Sequence, residues 1–173
     1  MTTRTSLRAV VAILLAAWIS PVLAGGLIGR TVPPYPSGLT EQQGSCISGG
    51  PGHSHVCDYG IAVLGKAPVR DGEIAKPLYV IGQRMVGNHK DRPRWRITDA
   101  IKPPRVKRGY LLEIASCRLD GDSELSVIAA VVRYGEEEYS SDVIWSRRLD
   151  MASGRLLPVK AGRIECINPA AGI

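Results

Sequence analysis

From Ile61 onward the apolar positions fall into short blocks that alternate with polar residues or run together. Each block ends at a cluster of glycine, proline, aspartate or serine. The segments "KPLYVIGQRMV", "RWRITDAI", "YLLEIASCRL", "ELSVIAAVVRY", "DVIWSRRLD", "RLLPVKA" and "GRIECI" carry the β-branched and aromatic residues expected of strands. In "RWRITDAI" the alternation sets Trp95 and Ile97 on one face, with Arg94, Arg96 and Thr98 on the other. "ELSVIAAVVRY" has no polar face between Val127 and Val132, as a strand covered on both sides requires. "DVIWSRRLD" places Val143, Trp145 and Leu149 on one side. "GNHKDRP", "KPPRVKRG", "DGDS", "GEEEYSS" and "MASG" break the pattern between blocks. No amphipathic helix is evident in this part of the chain.

Seven strands with short connections predict an all-β fold: a small antiparallel meander forming a barrel, a sandwich or a curved sheet. Residues 25–60 differ. "TVPPYPSG" and a glycine-rich loop interrupt the periodicity, so the expectation is an irregular, disulfide-looped lead-in with at most a helical turn at "SGLTEQQG". Residues 61–173 form the β-rich part, and 25–173 are expected to fold as one unit.

The first 24 residues follow another pattern. Arg4 and Arg8 precede an apolar run from Ala9 to Ile19, and Val22 and Ala24 supply small-x-small positions before Gly25 and Gly26. This is the pattern of a secretory signal peptide cleaved near Ala24. The run is shorter than the ~20 residues that span a bilayer. The expected location is periplasmic or secreted, with no transmembrane segment in the mature chain. Loss of the two arginines lowers the formal charge from +6 to +4.

Export changes how the cysteines are interpreted. Cys46, Cys57, Cys117 and Cys166 form an even set, which points to two disulfides. Of the three pairings, Cys46–Cys57 and Cys117–Cys166 suit the chain best. The first closes a loop rich in glycine and the second joins two strand-like segments. Loops of these sizes would contribute about 3 and about 4 kcal/mol on a chain-entropy argument.

The first loop also carries His53 and His55, two of the three histidines. Two positions apart on an extended segment, they would face the same way and could offer imidazoles to copper or zinc. The flanking cysteines would have to be thiolates to join them, which an oxidising compartment opposes. "GHSHV" begins like a nucleophile elbow but has Val56 where glycine is needed. "DGDSE" resembles the start of a calcium loop but lacks the glycine at the sixth position. No cofactor is implied, and a small secreted enzyme would need a convergence of residues that the sequence does not display.

Charge is the remaining signal. Between Arg84 and Arg108 lie nine basic residues opposed only by Asp91 and Asp99, a local +7 that leaves the rest of the mature chain at −3. Such asymmetry steers anionic partners. Arg92, Arg94, Arg96, Arg105, Lys107 and Arg108 are the expected contacts for a protein or an anionic envelope component. Nucleic acid is not expected as a physiological partner of an exported chain. The functional expectation is a non-enzymatic binding protein, such as an inhibitor or immunity protein against an envelope-targeting enzyme. A metal-binding protein and a small enzyme stand as the alternatives.

Overall fold

The computed structural model describes residues 26–49, 57–66, 76–122, 127–159, 163–168 and 171. Among these residues there are twelve strands and no α-helix: β1 Thr31–Val32, β2 Leu39–Ile47, β3 Tyr59–Lys66, β4 Pro77–His89, β5 Arg92–Ile101, β6 Tyr110–Ile114, β7 Cys117–Leu119, β8 Ile128–Arg133, β9 Tyr139–Ser140, β10 Val143–Asp150, β11 Arg155–Pro158 and β12 Ile164–Ile167. They form three antiparallel sheets that do not close into a barrel. The first has the order β1-β5-β4-β3-β2, the second β11-β10-β8-β6, and the third β7-β12-β9.

The apolar clusters explain the layering. One lies between the first two sheets and gathers Ile61, Val63 and Val80 from one with Leu112, Ala129, Val131, Leu149 and Leu156 from the other. A second lies between the middle and third sheets and holds Ile128, Ala130, Val132, Val143, Ile164 and the buried pair Cys117 and Cys166. Successive residues of β8 feed alternate clusters, so the unbroken run read from the sequence belongs to the central layer. A third cluster covers the outer face of the first sheet. Tyr79, Ile81, Trp95 and Ile97 meet Leu27 and Val32 there, with Tyr35 and Leu39 packed against them.

Several expectations are corrected by this arrangement. The lead-in is not irregular throughout: β2 occupies Leu39–Ile47 and pairs with β3 from Leu39↔Lys66 to Ile47↔Tyr59. Its polar sequence hid it because it is an edge strand, with only one neighbour to satisfy and little to bury. The expected helical turn at "SGLTEQQG" is therefore the start of β2. "YLLEIASCRL" breaks at Ala115, whose φ is +56°, and sends β6 to the middle sheet and β7 to the third. Val143 does not share a side with Trp145 and Leu149. A bulge between Val143 and Trp145 shifts the register, so Val143 packs toward the third sheet and the other two toward the first.

The disulfides join Cys46 to Cys57 and Cys117 to Cys166. The first ties the end of the β2–β3 hairpin, and the second staples β7 to β12 where those residues are register partners. Asp99 links two layers, its Oδ2 accepting the Leu156 N–H at 2.8 Å and its Oδ1 the Ala100 N–H at 2.9 Å. One of the two acids within the basic stretch is thus engaged in holding β11 against β5.

Candidate binding surface on the β4–β5 arm

"GNHKDRP" is no break between separated strands. Lys90 and Asp91 have φ of +50° and +60°, and the ladder continues through them as His89↔Arg92 and Asn88↔Pro93. Two central residues of positive φ are what a type I′ hairpin turn demands. Val86 to Pro93 are all exposed, so β4 and β5 extend together as an arm beyond the packed layers. Pro93 costs no ladder bond on the outer edge of this arm, where among the described residues β1 reaches only Trp95 and Arg96.

The register assembles one row across the first sheet. Ile47 lies opposite Tyr59, Tyr59 opposite Arg84, Arg84 opposite Arg96, and Arg96 opposite Thr31. Cross-strand partners share a face, with Cβ atoms about 5 Å apart. Two guanidinium-bearing stems therefore stand side by side, both exposed. Arg84 donates from Nη2 to the Tyr59 hydroxyl at 2.6 Å, with its guanidinium 5.0 Å from the centre of that ring. Tyr59 in turn packs against the cluster between the first and middle sheets. The row thus begins where the middle sheet's cover ends. Arg94 lies one step further out, opposite Gly87, and its Nε is buried without a hydrogen-bond partner among the described residues. Trp95 and Ile97 point to the other face and belong to the core.

No carboxylate among the described residues forms an ion pair with Arg84, Arg92, Arg94 or Arg96. The described ion pairs join Arg118 to Glu165 at 2.7 Å and Arg163 to Asp120. Like charges placed directly opposite each other are destabilising in a sheet. The Tyr59 hydroxyl and ring accommodate the Arg84 guanidinium, but no described carboxylate neutralises either arginine of the pair.

The six residues expected to act together do not form one patch. Arg92 lies on the arm, with Arg94 and Arg96 at its base opposite Gly87 and Arg84. Arg105, Lys107 and Arg108 lie beyond the far end of β5, which at ~3.3 Å per residue is about 30 Å long. Arg105 meets Lys76 and Lys102 around an open groove there, while Lys107 and Arg108 are exposed on the turn before β6. Arg84 and Tyr59 belong to the arm site and were not among the expected contacts.

His53 and His55 lie outside the described residues. His89 is at the arm tip, and no group of three or more possible metal ligands occurs among the described residues. All four cysteines are in disulfides, so none offers a thiolate. Asp120 of the calcium-like turn is paired with Arg163. The acidic tip at 136–138 is held by Asn168, whose Nδ2 donates to the carbonyls of Gly135 and Glu137 at 2.9 Å. The chain matches no protein-family model, no curated protein and no solved structure.

Proposed function

We propose that this is an exported, non-enzymatic binding protein that grips an acidic macromolecular partner with its β4–β5 arm, in the manner of an inhibitor or immunity protein. The observation that carries the reading is the row Tyr59–Arg84–Arg96, in which two exposed arginines oppose each other across the ladder without an acid to share. Arginines and a tyrosine fixed on a rigid sheet are the residue types that dominate macromolecular interfaces. An acidic side chain of a partner placed between the two guanidiniums would relieve their repulsion and accept hydrogen bonds from both. Export is supported by the signal-peptide pattern of the first 24 residues and by two disulfides, which suit an oxidising compartment.

The test is affinity capture by the processed, oxidised protein from envelope and culture fractions, followed by mass spectrometry. The expected result is one enriched acidic protein, lost with Arg84→Glu/Arg96→Glu and retained with Lys102→Glu/Arg105→Glu. Equal capture by the arm variant would overturn the assignment, as would capture of nothing but polyanions released by moderate salt.

A further inference from the structure

The basic group at the far end of β5 calls for its own explanation, since the arm's row does not reach it. Val80 is the register partner of Ile101, so the chain entering β4 and the chain leaving β5 run side by side. Between them lies an open groove of about 720 Å³, within the range of small-molecule sites. Lys76, Lys102 and Arg105 stand exposed at its rim, and no acid lines it or pairs with them among the described residues. Its walls are Pro77, Pro103 and Pro104, which lack backbone N–H groups and hold fixed φ angles. Leu78 and Val106 contribute further half-buried apolar surface.

A cationic rim over an apolar, stiffened floor is matched to an amphiphile. A bare anion would engage the rim and leave the prolines, Leu78 and Val106 in water. A phosphodiester headgroup with its adjoining glycerol and first methylenes would use both parts, the phosphate between Lys102 and Arg105 and the carbon skeleton against the floor. We propose that this groove is a separate site for the phosphate headgroup of an anionic lipid, which would hold the protein at a membrane surface while the arm remains free.

Co-sedimentation with vesicles tests it, using phosphatidylglycerol mixed into phosphatidylcholine beside phosphatidylcholine alone. Wild type should sediment with the anionic vesicles only. Lys102→Glu/Arg105→Glu should reduce the bound fraction by at least about tenfold, and Arg84→Glu/Arg96→Glu should leave it nearly unchanged. Circular dichroism would confirm that both variants fold. Absence of binding to the anionic vesicles overturns the proposal, and so does equal loss in both variants, which would reveal a diffuse field. If inorganic phosphate raises the melting temperature of wild type but not of the groove variant, without vesicle binding, the site belongs to a soluble phosphate and the lipid assignment falls. Partner capture through the arm is read independently, so either reading can fail alone.

Discussion

Glu113 shows how burial sets a single residue's behaviour. Its side chain projects from β6 with the Ser116 hydroxyl donating to Oε2 at 3.4 Å and Tyr134 beside it. Burial raises its pKa above the ordinary carboxylate value, the Ser116 bond opposing the shift in part. Burial and the nearby Glu113 charge push the Tyr134 phenol up in the same way. A folded pKa above the unfolded one means that the fold holds this proton more tightly. The stability it contributes is complete below the ordinary carboxylate range and is lost as pH rises through the raised folded value. Asp150 has the opposite sign, since the Ser153 hydroxyl and backbone N–H depress its pKa and its contribution is lost only on acidification. Calorimetric melting between about pH 4 and 7 should therefore show wild type losing stability with rising pH. Glu113→Gln should flatten that profile and melt higher at neutral pH. An unaltered profile in the variant would mean that Glu113 is not the group responsible.

At the scale of elements, bulges and turns decide which residues meet. The β10–β11 turn ends at Gly154, whose φ is +71° and where a Cβ would lie 2.8 Å from Thr98 Cβ. Gly154→Ala would strain the turn and force β11 away from β5, weakening the Asp99–Leu156 bond that joins the layers. A destabilisation of about 1–3 kcal/mol is expected in urea denaturation, and a change below ~0.5 kcal/mol would show that the two elements can slide apart freely. Alternation made most strands from Ile61 onward legible, because burial on one or both faces imprints a period on the sequence. The same logic failed for β2, whose edge position imposes no apolar period. It failed again for the arm site, where bulges set the register. A plain hairpin about Lys90 and Asp91 would place Arg84 opposite Ile97, on the core face. The extra residue Val86, between the pairs Met85↔Trp95 and Gly87↔Arg94, moves Arg84 opposite Arg96 instead. Thr98 is the matching extra residue on β5, between Gln83↔Ile97 and Gly82↔Asp99. The paired arginines follow from the bulged β4–β5 register, and Tyr59 joins them through the β3–β4 ladder, not through any local motif.

Across the whole molecule, charge is separated rather than mixed. The basic residues of 84–108 divide between the β4–β5 arm with its base and the chain beyond the other end of β5, where Lys102 and Arg105 rim the groove and Lys107 and Arg108 lie on the turn before β6. Composition displayed the imbalance, but its division into two sites came only with the strand lengths and the I′ turn. The row Tyr59–Arg84–Arg96 holds two like charges opposite each other with no acid to share, the arrangement on which the proposed partner binding rests. Thermal melting of Arg96→Glu at low salt tests this without the partner, because the substitution converts a repulsive cross-strand pair into an ion pair. The melting temperature should rise about 1–4 °C above wild type, with the gain fading in high salt as screening removes both the repulsion and the new attraction. A variant that melts at or below the wild-type temperature at low salt would contradict it, because the arginines would then impose no strain for a partner to relieve.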